Sequence, residues 1–297
     1  MIKEAIKKLV AGNDLTFDEA AQVMDEMFSG TATQSQMAAY LTALRIKGET
    51  IDEITASAQV MREKALHIKP NRDVLDIVGT GGDGTGTFNI STTAAFIIAA
   101  AGIPVAKHGN RSMSSKSGSA DCLEQLGINI NITPEKSEEV LNKAGICFMF
   151  AQGYHSSMKY VGPVRKEIGI RNIFNVLGPL TNPAGADHQV TGVYSETLVE
   201  PIAQVFSNLG VKKGYVFYGM DGMDEVTLTT TTKVCEIDNG KFNTFILNPE
   251  DYGLKLCSPE DLAGGDGKEN AEITKEILSG EIKDAKRDIV VLNAALG

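Results

Sequence analysis

What this 297-residue chain lacks narrows its chemistry before any motif is considered. Its four cysteines, Cys122, Cys147, Cys235 and Cys257, stand far apart and form no CxxC pair. That excludes a disulfide scaffold and a thiolate zinc site, and suits reduced, intracellular thiols. No apolar run can span a bilayer: the longest, 94–106, is broken by Gly102 and Pro104. The start, MIKEAIKKLVAGNDL, is charged and amphipathic and has no signal-peptide core, so a cytoplasmic protein without membrane contact is expected. No Ser-His-Asp set, HExxH or paired catalytic glutamates can be assembled. Basic residues are outnumbered, 28 Lys and Arg against 38 Asp and Glu. A net charge of -10 argues against general nucleic-acid binding, which needs many phosphate contacts. One further absence is local. Between Asp83 and Asp121 there is no acid at all, although the stretch contains Lys107, Arg111 and Lys116. An acidic protein that clears acids from one segment leaves room there for an anion.

What is present is ordinary for a soluble globular protein, with 42% hydrophobic and 22% charged residues. The pattern predicts an α/β protein with a small all-helical domain over 1–70 and a large α/β domain over 71–297. In the first part Ile2, Ile6, Leu9 and Val10 share one helical face that Gly12 can end. Thr16 with Glu19, Thr33 with Gln36, and Thr50 with Glu53 then read as capping boxes opening three more helices. From Val74 the pattern becomes βα alternation: strands over 74–78, 103–106, 146–150, 189–195 and 214–219, with helices between them. A mostly parallel central sheet flanked by helices follows, with ligands in the loops beyond the strand C-termini. Segment 155–185, punctuated by prolines, reads as a crossover returning to the helical domain. EVTLTT, KVCEI and FNTFIL, within 225–247, read as antiparallel strands, and 268–296 as helical.

The acid-free stretch carries two glycine-bearing loops. Gly79-Thr-Gly-Gly-Asp-Gly is a literal GxGxxG between a strand and a helix. The acid that would hold a dinucleotide ribose some 20 residues later is missing, and no Gly-Lys-Ser/Thr follows. What remains is a loop whose N–H groups can approach a phosphate, continuing into Asn89-Ile-Ser-Thr92 at a helix start. The second loop, Lys107-His-Gly-Asn-Arg111 with five serines over 112–119, suits a polyphosphate, and His108 and Asn110 could line a ring-shaped acceptor. A tight turn and a solvated basic loop are the plain alternatives. Downstream, Asp224-Glu225 at an expected strand start could hold magnesium, which takes few protein carboxylates plus phosphate oxygens. Arg165 could grip a carboxylate bidentately or be a surface arginine. His67 and His188 lack partners and read as structural.

With GTGGDGTGTFNIST, KHGNRSMSSKSGSAD, PVRKEIGIRNIFNVLGPLTNP and GMDGMDE in order, the sequence resembles the anthranilate phosphoribosyltransferases of the tryptophan pathway. The resemblance covers nearly the whole chain. It implies transfer of a 5-phosphoribosyl group from 5-phosphoribosyl 1-diphosphate to the amine of anthranilate, with Mg²⁺ and release of pyrophosphate. It implies that Gly79, Gly82, Asp83, Thr87, Asn89, Ile90, Ser91 and Thr92 contact the diphosphate sugar. Lys107, His108, Gly109, Asn110, Arg111, Ser112, Met113, Ser114, Ser115 and Ser119 would close over the same substrate. Gly79, Asn110, Arg165 and His108 would meet anthranilate, while Ser91, Asp224 and Glu225 would serve the metal. No nucleophile is implied, and a homodimer through the helical domain is. The chain departs from the family's FAP…HPA pattern, with Gln152 and Ser156 at the proline positions. A pyrimidine nucleoside phosphorylase of the same fold, or a non-catalytic relative that binds nucleic acid, are the rival readings.

Overall fold

Local capping decides the first part of the chain. The computed structural model describes residues 1–112 and 116–297; Met113, Ser114 and Ser115 lie outside the described residues. Helices α1 (Ile2–Val10), α2 (Phe17–Phe28), α3 (Gln34–Lys47) and α4 (Ile51–Glu63) come first. Thr16, Thr33 and Thr50 each accept the N–H three residues on, and Glu19, Gln36 and Glu53 return the bond. Glu53 is fully buried and also accepts the Leu15 N–H at 2.9 Å and Lys47 Nζ at 2.8 Å. That carboxylate pins the loop before α2 to α4. In α1 the core side is Ile2, Ala5 and Leu9, whereas Val10 is 74% exposed, contrary to expectation. Val10 sits about 100° beyond Leu9, at the margin of the apolar stripe, and small Ala5 takes the inward place.

The alternating part runs β1 (Leu75–Gly79), α5 (Ile90–Ala100), β2 (Val105–Gly109), α6 (Ser119–Gln125), α7 (Pro134–Ala144) and β3 (Ile146–Phe150). The short α8 (Ala151–Tyr154), α9 (Met158–Ile168) and α10 (Phe174–Leu180) follow. Then come β4 (His188–Gly192), α11 (Val199–Asn208), β5 (Lys213–Gly219), β6 (Thr232–Asp238), β7 (Lys241–Leu247), α12 (Gly267–Ser279) and α13 (Ala285–Ala294). The strands form one sheet in the order β3-β2-β1-β4-β5-β6-β7. The five from β3 to β5 in that order are parallel; β6 and β7 form an antiparallel hairpin on its edge. This is the α/β architecture expected, a helical part beside a mostly parallel sheet. Among the described residues no helix is long and apolar enough to cross a membrane.

Two cores cover the two faces. On one, Leu75, Ile77, Val190 and Phe217 pack with Ile98 of α5 and Ile289 of α13. On the other, Val216 and Ile237 meet Phe206 of α11 in a cluster continuous with α2, α3, α9 and α10. Arg62 of α4 donates to the carbonyls of Leu180, at 2.7 Å, and Leu209, at 3.0 Å. One guanidinium from the helical part thus satisfies the C-terminal ends of α10 and α11.

Several boundaries differ from expectation: β4 ends at Gly192 rather than 195, β2 starts at Val105 rather than 103, and two further differences bear on the site. β2 continues through Lys107, His108 and Gly109, whose backbones pair with Phe148, Met149 and Phe150 of β3. A charged residue looks like a strand's end in sequence, but ladder pairing continues and Lys107 is 3% exposed. Residues 225–230 form no strand. Val226 completes its backbone bonding with the Asn293 side chain, N–H to Oδ1 at 2.9 Å and Nδ2 to carbonyl at 2.8 Å. Thr227 N–H goes to Thr232 Oγ1, so side chains take the place of a neighbouring strand. Because β1, β2, β4 and β5 are parallel, the loops after them open at one edge of the sheet, where such folds bind ligands.

Candidate functional site

The loop after β1 turns through two consecutive left-handed residues, Gly81 (φ 70°) and Gly82 (φ 74°), a path that L side chains resist. It leads to α5, whose first turn lies at the sheet edge. The segment after β5 meets both. Asp224 Oδ2 accepts the Gly81 N–H at 2.6 Å, and Glu225 Oε1 accepts the Ser91 N–H at 3.0 Å. Adjacent carboxylates thus diverge to the glycine loop and the helix start, although they lie in a loop and not at a strand start. The Asp224 N–H in turn points to Asp83 Oδ2 at 3.4 Å.

Burial pushes the Asp224 carboxyl well above the usual range, and Asp83 and Glu225 push it further. Burial pushes Glu225 up to about 7 against the pull of Lys107. These are oxygen donors crowded by like charge, the condition a divalent cation relieves. Among the described residues no three His, Cys, Asp or Glu side chains converge as a complete metal site. Few carboxylates, with the remaining positions open, is the donor set that magnesium shares with substrate phosphates, so the residues fit that ion.

Lys107 donates to the Ile77 carbonyl; burial lowers its pKa while Asp76 and Glu225 hold it up. His108 Nδ1 lies 3.2 Å from the Gly178 carbonyl, and its ring centroid is 5.1 Å from that of His155. Burial lowers His108 to about 3, with His155 adding to it, and lowers His155 to about 4. Both rings are therefore neutral at pH 7. Arg165 lies over the Phe174 ring at 5.1 Å and, among the described residues, pairs with no carboxylate; burial lowers its pKa. Phe174 and Gly178 are one helical turn apart on α10, so Arg165 and His108 flank neighbouring points of one helix.

Gly79, Gly82, Asp83, Asn89, Ser91, Lys107, Asp224 and Glu225 therefore come together at the strand ends. Thr87 bridges Ala263 nearby. Ile90 turns into the core at 1% exposed and its N–H goes to the Phe88 carbonyl, so it contributes packing. Thr92 is likewise buried. Arg111 is engaged by Asp121 at 2.8 Å and Glu124 at 2.6 Å, the compensating acids that the sequence stretch itself lacks. Asp121 Oδ2 also takes the Ser112 N–H at 3.1 Å. Asn110 accepts through its carbonyl from Ser119 Oγ at 3.3 Å, beside Gly109. The expectations at Met113, Ser114 and Ser115 lie outside the described residues.

Sequence reasoning missed four contributors. Asp76, wholly buried in β1, accepts the His108 N–H at 3.2 Å and Asn182 Nδ2 at 2.7 Å, and burial raises it to about 6. A lone acid inside the apolar run VLDIV was the available signal. Asn182 also donates to the Ala106 carbonyl at 2.7 Å, fastening the crossover to β1 and β2. Arg171 donates to the Gly82 carbonyl and covers the Tyr194 ring at 4.5 Å. His155 adjoins His108; the HPA-like pattern contains it but gave it no role.

The comparisons with known proteins fall on this architecture. Residues 3–65 match the family described as glycosyl transferase family, helical bundle domain, and 71–297 match glycosyl transferase family, a/b domain. The anthranilate phosphoribosyltransferase of Endomicrobium trichonymphae is 60% identical over 296 residues, 100% of this chain and 88% of that protein. The enzyme of Methanobrevibacter smithii is 57% identical over 295 residues, 99% of this chain and 88% of that protein. Among solved structures, that of Thermus thermophilus superposes with a TM-score of 0.93 at 44% identity, covering 99% of this chain and 88% of that one. The Saccharomyces cerevisiae enzyme in complex with PRPP and Mg superposes with a TM-score of 0.89 at 28% identity, covering 99% and 86%. With the fold, the glycine loop and the paired acids in their places, and with relatives this similar over its full length, the chain belongs to the anthranilate phosphoribosyltransferase family.

Proposed function

We propose that the chain transfers the 5-phosphoribosyl group of 5-phosphoribosyl 1-diphosphate to the amine of anthranilate, releasing pyrophosphate, as a step of L-tryptophan biosynthesis. The observation that carries the reading is the junction of Asp224 with Gly81 and of Glu225 with Ser91, which joins carboxylates, glycine loop and helix start at one sheet edge. In this reading Gly79, Gly82, Asp83, Thr87, Asn89 and Ser91 hold the diphosphate sugar. Lys107 to Ser112 and Ser119 close the second side, and Ser91, Asp224 and Glu225 hold Mg²⁺. When bound, the ion would neutralise the diphosphate as it departs.

In the reaction the C1–N bond forms as the C1–O bond to diphosphate breaks; the electron pair leaves with the diphosphate and the amine sheds a proton. Lys107 and the positive N-terminal end of the α5 dipole oppose the growing negative charge. The arylamine is neutral at pH 7, so no base is needed before attack, and catalysis is positioning and electrostatics. Neutral His108, Gly79, Asn110 and Arg165, which has no carboxylate partner among the described residues, border the acceptor, the guanidinium taking its carboxylate.

The helical part leaves Val10 74% and Ile46 82% exposed, apolar surface that supports a homodimer through that part. Sedimentation of the wild type and of Ile46→Glu checks it. The reaction itself is tested by mixing the protein with phosphoribosyl diphosphate, Mg²⁺ and anthranilate and following loss of anthranilate fluorescence. No turnover there, with turnover of thymidine plus phosphate, would replace this reading by the nucleoside phosphorylase.

A further inference from the structure

Helix α12 lies outside every motif that carries the resemblance, yet its Asn270 is 1% exposed and reaches the start of α5. The Gly265 N–H donates to Asn270 Oδ1 at 2.8 Å. A backbone N–H can only donate, so the other end of that carboxamide presents its NH₂. The NH₂ donates to Asn89 Oδ1 at 3.0 Å, and Ser117 Oγ lies 3.1 Å from the same oxygen. With its oxygen taken, Asn89 keeps Nδ2 for other partners. Among the described residues Nδ2 has one contact, the Ser117 carbonyl at 3.5 Å, at the limit of a hydrogen bond. The lead-in to α12 is itself anchored to the glycine loop, Gly264 N–H to the Gly86 carbonyl at 2.9 Å. Thr274, one turn beyond Asn270, shares a 2.9 Å hydrogen bond with Thr93 of α5.

We infer that Asn270 is a positioning residue: it fixes the polarity of Asn89 so that the Asn89 amide faces the site as a donor. A diphosphate only accepts, so an Asn89 oxygen in the same place would repel it. The inference rests on the proposed role of Asn89 at the diphosphate.

Asn270→Asp tests it, because the change keeps the size and the Gly265 bond while replacing the NH₂ by oxygen. Asn89 must then turn its own NH₂ toward α12. The expected result is a rise of about tenfold, the scale of one charge-assisted hydrogen bond, in the KM for phosphoribosyl diphosphate. The Kd for Mg²⁺-pyrophosphate, by calorimetry, rises alike, while the anthranilate KM stays close to wild type; the buried carboxylate itself lowers the melting temperature. In an Asn89→Ala background the same substitution adds less than about twofold, since acting through Asn89 means strong coupling. Should Asn270→Asp not fold, Asn270→Ala, which frees Asn89 without reversing it, is expected to give about threefold. Unchanged pyrophosphate binding in a folded Asn270 variant, with Asn89→Ala weakening it, overturns the inference and leaves the reaction standing. A full effect of Asn270→Asp without Asn89 also overturns it. Loss of all turnover by the wild type would sink the functional reading instead.

Discussion

Gly79 has no side chain where the carboxyl of Asp224 sits: a Cβ on Gly79 would fall 2.8 Å from Asp224 Cγ and still nearer its Oδ2. The end of β1 and the acid after β5 can be neighbours only because the glycine concedes that volume.

Gly79→Ala should therefore displace Asp224 from the Gly81 N–H and weaken the site rather than the fold. The magnesium concentration for half-maximal turnover should rise about tenfold or more, the worth of one misplaced charged ligand contact. Titration of turnover against Mg²⁺ checks this, and an unchanged midpoint would mean that Asp224 is not where the ion acts.

Arg165 rests on Phe174 with no carboxylate partner among the described residues, so removing it strips no structural ion pair. Arg165→Ala should raise the anthranilate KM by about 10–100-fold and leave the phosphoribosyl diphosphate KM within about twofold. Arg165→Lys should not restore it, because a point charge cannot reproduce the bidentate fork. Equal effects on the two KM values would remove Arg165 from the acceptor site.

His108 and His155 are held neutral by burial at about 3 and about 4, below the ordinary 6.5. Between those values and 6.5 the unfolded chain binds protons that the folded one refuses. Their contribution is thus complete above pH 6.5 and is lost as pH falls toward 4, by up to about 1.4 kcal/mol per pH unit for each ring. Urea unfolding across pH 7 to 4 should show this slope, and His155→Phe should flatten it. An unaltered slope would place the loss on other groups.

Glu53 is fully buried, with Lys47 and two backbone N–H groups on it. Glu53→Ala should cost about 3 kcal/mol, because the Leu15 and Thr50 N–H groups lose their acceptor and Lys47 keeps only the exposed Asp14, at 2.6 Å. Thr33→Ala, which removes only an exposed cap, should cost about 1 kcal/mol. Denaturant unfolding of the two variants distinguishes these values, and comparable costs would show that Glu53 acts only as a capping residue.

Much of the scaffold was legible because its causes are local. A capping box needs residues three apart, so Thr16, Thr33 and Thr50 announce their helices in the sequence itself. The acid-free glycine stretch likewise pointed from composition alone to an anion site, the expectation on which the proposed function builds. Other features depend on groups that meet only in three dimensions. Lys107 belongs to β2 because β3 lies beside it, and Val226 leaves the strand pattern because Asn293, 67 residues away, supplies its hydrogen bonds. Asn270 orients Asn89 across 181 residues. Side-chain periodicity reports which face is buried but not which distant donor will find which acceptor; that pairing exists only once the sheet has brought the loops to one edge, and there the tertiary structure decided the site.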